Sequence, residues 1–360
     1  MTKRTRRRIK GIVNAIVSVL LVLMLVISTA YFVIDDMLGN VEYVDPSSDD
    51  YIVSFIPEDP NESLSSEPDT DSDILASYQP IASGNIGNKL PIVSSKDKVT
   101  NVLLVGSDSR GLDFRGRTDS MMIITINETR KKIVVTSIMR DVYVYVPQVD
   151  TYNRINASYA YGGESLLMKT IKHNLGITID RYVTVNFGIF TSFIDDIGGL
   201  DITLTADEYN YACEWIFPAR IARGAMTEED VKLYKNGGVI HANGVDTLAY
   251  SRMRYTSGGD FRRTERQRTV LMKAIEKLAT LPINEIISLC EKYIGEIRTT
   301  FSKSELMNYI IKSPTYLGFE FDLGRIPVDG SWQYLNVGGR SMIGIDYAAN
   351  LKYWNKRVYG

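Results

Sequence analysis

From Ile12 to Ile34 the chain is almost wholly apolar, broken only by Asn14, Ser18, Ser28 and Thr29. At ~1.5 Å rise per residue, a helix of that length covers ~35 Å, enough to cross a hydrocarbon core of ~30 Å. Lys3, Arg4, Arg6, Arg7, Arg8 and Lys10 precede this stretch, and no basic residue follows it closely. The positive-inside bias therefore predicts a cytoplasmic N-terminus, one span, and a chain that lies outside the cytoplasmic membrane after about residue 35. The competing reading is a cleaved signal peptide. Its apolar core would run only ~7–15 residues, and Ser28-Thr29-Ala30 is a weak cleavage site.

The organisation expected beyond the span follows from composition. Residues 1–11 form the basic tail and 12–34 the transmembrane helix. Residues 35–97 are acidic and rich in Ser, Pro and Asn, which suits an extended linker better than a packed core. Residues 98–360 carry the globular pattern. Asn101–Gly106, Met121–Asn127, Ile133–Ile138, Tyr182–Asn186 and Asp201–Thr205 are predicted strands. Helices are predicted over Asn156–Leu175 (with a break at Gly162-Gly163), Phe190–Ile197, Phe261–Leu281, Asn284–Gly295 and Ser302–Lys312. Mixed strands and helices without repeats imply one α/β domain. Cys213 and Cys290, the only cysteines, either pair in this external domain or stay as two separate thiols.

Charge excludes some functions. The formal net charge is -2, which argues against a nucleic-acid partner. With only two histidines, and no Walker, dinucleotide or zinc-ligand spacing, a Ser–His–Asp hydrolase, a P-loop enzyme and a zinc enzyme all lack their residues. Carboxylates and arginines remain, and they gather where predicted strands end.

The first strand ends in Gly106-Ser107-Asp108-Ser109-Arg110, and Gly116-Arg117-Thr118-Asp119 precedes the second. Asp108 and Asp119 supply hard oxygen donors of the kind Mg²⁺ uses, and Arg110 and Arg117 suit phosphate; capped turns and surface ion pairs are the structural alternative. The third strand ends in Ser137-Ile138-Met139-Arg140-Asp141. Arg140 adds a permanent cation, and Asp141 either serves as a base or orients an arginine. Arg252 and Arg254 in Tyr250–Tyr255 would share one face if that segment is extended.

The helix after Asp260 allows a geometric test. At ~100° per residue, Arg263 and Gln267 continue the apolar stripe of Val270, Leu271, Ala274 and Leu278, with Arg266, Lys273 and Lys277 flanking it. A polar pair on an apolar stripe is predicted to point inward. A buried cation needs a carboxylate or an anionic ligand beside it. Phosphoryl transfer fits this residue set, because it rests on positioning and charge neutralisation.

The ordered stretches NVLLVGSDSR, GRTDSMMIITIN, SIMRDVYVYVP, RINASYAYGG, FIDDIGGLDI, NGVDTLAYSRMR and DFRRTERQR resemble the LytR–CpsA–Psr (LCP) domain. The resemblance covers roughly residues 99–280, with weaker similarity toward the C-terminus. It implies a single LCP-type α/β domain with a central mixed sheet flanked by helices. It also implies transfer of a phosphate-linked glycopolymer, such as a teichoic acid or capsular polysaccharide, from a polyprenyl-pyrophosphate carrier to a peptidoglycan sugar hydroxyl, assisted by Mg²⁺ or a similar cation such as Mn²⁺. On that pattern Asp108 and Asp119 hold the cation. Arg117, Arg140, Arg252, Arg254, Arg263 and Gln267 bind the pyrophosphate, and Arg110 joins them or supports Asp108. Asp141 assists the acceptor hydroxyl or fixes an arginine. Met139 departs from the family, where proline commonly precedes the Arg-Asp pair. A hydrolase using water as acceptor and a non-enzymatic envelope regulator are the other readings.

Overall fold

Valine- and isoleucine-rich segments build a six-stranded mixed sheet in the computed structural model, which describes residues 95–108, 118–254, 256 and 258–360. The expected tail and span, and nearly all of the expected linker, lie outside the described residues. No helix among the described residues is long and apolar enough to cross a membrane.

The strands are β1 (Val99–Ser107), β2 (Thr118–Asn127), β3 (Lys132–Ile138), β4 (Tyr143–Val146), β5 (Thr151–Arg154), β6 (Arg181–Asn186), β7 (Leu200–Thr205), β8 (Gly237–Ala242), β9 (Arg298–Thr299), β10 (Glu320–Ile326), β11 (Trp332–Val337) and β12 (Arg340–Ile345). The helices are α1 (Ile155–Leu175), α2 (Phe187–Asp196), α3 (Tyr209–Trp215), α4 (Phe217–Ala222), α5 (Glu228–Val231), α6 (Gly244–Arg252), α7 (Gly259–Leu278), α8 (Ile283–Tyr293), α9 (Lys303–Leu317) and α10 (Tyr347–Tyr359). The central sheet runs β10-β3-β2-β1-β6-β9. β1 is antiparallel to β2 and parallel to β6, while β10 is parallel to β3. The C-terminal ends of β1, β3, β6 and β10 therefore meet the N-terminal end of β2 at one edge, where ligand sites of α/β sheets form.

Alternation along the strands decides the two faces. Leu103, Val105, Met121, Ile123, Val134 and Ile138 pack with Leu167 and Ile171 of α1 and with Trp354 and Val358 of α10. Each fully buried side chain of this kind contributes about 1.5–3 kcal/mol. Met122, Ile133 and Val135 face the other way, against Leu271 of α7 and Tyr316 of α9. The β7–β8 hairpin and α2–α4 gather a separate core, which Val270 and Ala274 of α7 also enter. Successive residues of α7 thus join the sheet to the second lobe.

The expected break in α1 is present. Gly162 and Gly163 leave helical geometry, and Gly163 sits at φ 59° and ψ -153°, a conformation nearly closed to residues with a Cβ. The kink places Glu164 under the sheet with only 1% exposure. There it accepts a 2.8 Å hydrogen bond from Thr184 Oγ1 and lies 3.6 Å from Arg298 Nη1.

Several expectations are corrected. α9 continues past Lys312 and through Pro314. Buried Tyr316 holds its last turn by donating to Glu128 Oε1 at 2.7 Å, so tertiary anchoring overrides the helix-breaking signal. The segment around Arg252 is helical, not extended. Asn243 caps α6 by accepting from Asp246 N, and Asp246 is itself held by Arg220 and Arg223. Cys213 and Cys290 are both free thiols, and burial pushes Cys290 up.

Candidate functional site

Asp119 is the second residue of β2, and its placement depends on an irregularity in the β1–β2 pairing. Gly106 opposes Ser120, but the register shifts so that Ser107 opposes Thr118. A Cβ at Gly106 would come 3.1 Å from Ser120 Cβ, so glycine permits the close approach. Asp119 Oδ1 accepts from Arg140 Nη1 at 2.6 Å and lies 3.5 Å from Arg254 Nη2. Among the described residues the contacts of this carboxylate all use Oδ1.

Arg140 stands just past the end of β3 and is also bound by its neighbour, with Nε 3.4 Å from Asp141 Oδ2. The backbone there is pinned by Met139, which is buried and donates its N–H to Ile326 O at 3.0 Å. A proline at this position would lack that donor, so the family departure adds a bond between β3 and the end of β10. Burial alone would lower the Arg140 guanidinium, but Asp141, Asp119 and Asp260 outweigh it and raise it.

Asp260, in the first turn of α7, is the fifth member. Its oxygens lie 3.3 Å from Arg263 Nη1 and 4.0 Å from both Arg140 Nε and Arg254 Nε. It also shares a hydrogen bond with Asp141, so two carboxyls meet among the arginines. Burial first, and then Asp260, raise Asp141 above the usual carboxylate range. Burial would also raise Asp260, but the Asp141 hydrogen bond and the three guanidiniums hold it low. Of the two carboxyls, Asp141 therefore keeps its proton to the higher pH. Arg154, at the end of β5, adds a further cation 3.3 Å from Asp141 Oδ1.

The helix-wheel expectation holds. Arg263 is 2% exposed, and its Nε and Nη1 have no hydrogen-bond partner. Burial, and next the repulsion of Arg140, push it down to about 10. Gln267 Nε2 donates to Asp119 O at 3.2 Å, which ties α7 to β2. Arg266, expected on the flank, is instead buried and pairs with Glu208 at 2.6 Å.

Not every expected residue joins the cluster. Asp119, Arg140, Asp141, Arg254, Arg263 and Gln267 come together. Asp108 follows β1 at the same sheet edge but is exposed and makes no hydrogen bond or ion pair among the described residues. Arg252 does not share a face with Arg254, because α6 ends between them. Its guanidinium lies 4.8 Å from the ring centre of Phe187, the first residue of α2. Arg110 and Arg117 lie outside the described residues. Sequence reasoning missed Asp260 and Arg154. The i, i+3 spacing of Asp260 to inward-facing Arg263 was an available signal for the first.

A partly buried set of guanidiniums, held by carboxylates at the strand ends of a mixed α/β sheet, has the chemistry to accept multiply charged oxyanions of the phosphoryl class. The chain belongs to the LytR_cpsA_psr family, whose model matches residues 68–353. It is similar to the polyisoprenyl-teichoic acid–peptidoglycan teichoic acid transferase TagV of Bacillus subtilis, 30% identical over 64% of this chain and 57% of that one. It is also similar to the transferase TagU of Bacillus cereus, 29% identical over 69% of this chain and 77% of that one. The match thus spans little more than half of TagV. Among solved structures, B. subtilis TagV superposes with a TM-score of 0.55 at 26% identity, over 73% of this chain and 98% of that one. YwtF (TagT), solved with bound octaprenyl pyrophosphate lipid, shares the fold at a TM-score of 0.51 and 21% identity, over 76% of this chain and 95% of that one.

Proposed function

We infer that this protein is a membrane-anchored phosphotransferase. It moves a phosphate-linked glycopolymer from a polyprenyl-pyrophosphate carrier to a peptidoglycan sugar hydroxyl. The observation that carries the reading is the Asp119–Arg140–Arg254–Asp260–Arg263 cluster, in a chain whose relatives are named as teichoic acid transferases. The basic tail and the apolar stretch over 12–34 support anchorage with the domain outside.

The acceptor oxygen bonds to the phosphorus next to the polymer, and the bond from that phosphorus to the bridging oxygen breaks. Polyprenyl phosphate leaves with the electron pair, the proton of the acceptor hydroxyl passes to solvent or to the departing phosphate, and the polymer keeps a phosphodiester link. Arg263, buried without a hydrogen-bond partner on two of its nitrogens, receives the pyrophosphate, and Arg254 and Arg140 neutralise the charge that grows on the leaving phosphate. Asp141 lies 3.4 Å from Arg140 Nε and 3.3 Å from Arg154 Nε, which favours the role of fixing an arginine over that of a base. Gln267 holds the α7 arginine at the β2 edge.

A divalent cation fits the donor set. Asp119 Oδ2 is uncommitted among the described residues, and Asp108 follows β1 at the same sheet edge. Among those residues no three His, Cys, Asp or Glu side chains form a cage, so Asp108 and Asp119 would hold Mg²⁺ or Mn²⁺ largely through substrate and solvent oxygens. Such an ion, when bound, neutralises pyrophosphate charge.

Labelled lipid-linked donor supplied to the full chain in detergent tests the reading. With peptidoglycan present, label is expected in the wall fraction in a metal-dependent manner. Release of free polymer at the same rate without peptidoglycan would identify a hydrolase instead.

A further inference from the structure

Three buried polar atoms lack hydrogen-bond partners on the sheet face that α7 covers. They are Ser137 Oγ on β3, Arg325 Nε on β10 and Arg268 Nη1 on α7. Ser137 and Arg325 are register partners in the parallel β3–β10 pair, so their side chains leave the same face. Ile133 and Val135 share that face and pack with Leu271. Arg268 lies one helical turn before Leu271, toward the strand ends where Ser137 and Arg325 stand, and the Arg325 cation acts on it. None of these three side chains enters the Asp119 cluster.

Arg268 is 8% exposed and has no hydrogen bond or ion pair among the described residues. Burial, and next the cation of Arg325, push it down to about 10. Neighbouring charges do not relieve it. Arg357 is spent on Asp322, Thr136 Oγ1 and Val135 O. Glu265 is paired with Arg262. Arg325 commits one nitrogen to Asp329, and its guanidinium carbon lies 4.8 Å from the ring centre of Phe261, which follows Asp260 in sequence. Its side chain remains 22% exposed, so the pair is reachable from solvent. A water molecule could satisfy the free N–H groups but not the charge. A phosphate supplies both acceptors and counter-charge.

We propose that Arg268 Nη1, Arg325 Nε and Ser137 Oγ form a second oxyanion site, which takes a phosphate group and is distinct from the Asp119–Arg140 centre. The site does not depend on the transfer reading. Its phosphate comes either free from solution or as a diester within a polymer chain.

The test uses the full chain in detergent with Arg254→Gln and Arg263→Gln, which remove two of the three cations that the first centre presents to phosphate. Inorganic phosphate at about ten times its Kd is expected to raise Tm by on the order of 3 °C. Adding Arg268→Gln should abolish the rise. No rise in the Arg254→Gln/Arg263→Gln protein, or an undiminished rise after Arg268→Gln, would overturn the site. If the Arg268 variant does not fold, Ser137→Ala in the same background carries the test: phosphate affinity should fall several-fold, and an unchanged Kd overturns the site. Dimethyl phosphate separates the sources. A Tm rise with it as well as with inorganic phosphate assigns the site to a chain diester, and a rise with inorganic phosphate alone assigns it to free phosphate.

Discussion

Asp119 Oδ1 takes a hydrogen bond from Arg140 Nη1 at 2.6 Å and lies 3.5 Å from Arg254 Nη2. One carboxylate oxygen therefore aligns cations that reach the site from the end of β3 and from the segment after α6. Asp119→Ala should lower transfer by about 10²–10³-fold, the scale of losing one preorganised electrostatic group. The cost in folding should be only about 2 kcal/mol, because Asp141 still pairs with Arg140. Transfer assays and urea unfolding check both, and wild-type rates would remove Asp119 from the site.

Arg263 is expected to trade stability for binding. Its buried cation is incompletely partnered, so Arg263→Met should leave stability unchanged or raise it by about 1 kcal/mol. The same variant should bind lipid pyrophosphate at least about tenfold more weakly, as expected for a charge-assisted contact. Unchanged affinity would show that this side chain does not meet the ligand.

The Asp141–Asp260 pair makes a signed pH prediction. Burial raises Asp141 in the folded state, so the native protein binds a proton more tightly there than the unfolded chain does. Its contribution is fully favourable below the ordinary value of 3.8 and is lost as pH rises through the raised folded value. Asp260 has the opposite sign: its contribution is present above 3.8 and is lost as pH falls through its lowered value. Asp141→Asn removes the first effect, and its amide still donates to Asp260, which preserves the second. The variant should therefore gain stability relative to wild type as pH rises from 3.8. Urea unfolding across that range decides the sign, and a relative loss with rising pH contradicts the upward shift of Asp141.

Glu164 is a structural counterpart. Glu164→Ala leaves Arg298 buried without its carboxylate, and should cost about 3–5 kcal/mol. Glu164→Gln keeps the Thr184 hydrogen bond and should cost less. Equal losses in the two variants would show that packing, not charge, governs this position.

Local periodicity made much of this protein legible. Alternating Val and Ile segments mark β1, β2, β3 and β6, and Gly162-Gly163 marks the kink in α1. The 3.6-residue period turns Arg263 and Gln267 inward, and the structure places both there. These features depend on neighbours a few residues away, so a sequence displays them directly.

What the sequence did not display depended on distant partners. Arg252 and Arg254 look like one face of a strand, but the Asp246 contacts with Arg220 and Arg223 stabilise a helix that separates them. Asp260 reads as an ordinary first-turn acid until Asp141 and Arg140 arrive from the end of β3. Arg268 reads as one more surface cation until β10 brings Arg325 beneath it. The sequence by itself determined the strands, the principal helices, the inward stripe of α7 and the arginine–aspartate chemistry, because each is encoded in short-range spacing. Only the tertiary structure decided which charges share a site and which way each carboxyl's proton affinity shifts, because burial and Coulomb energy depend on distances that folding alone sets.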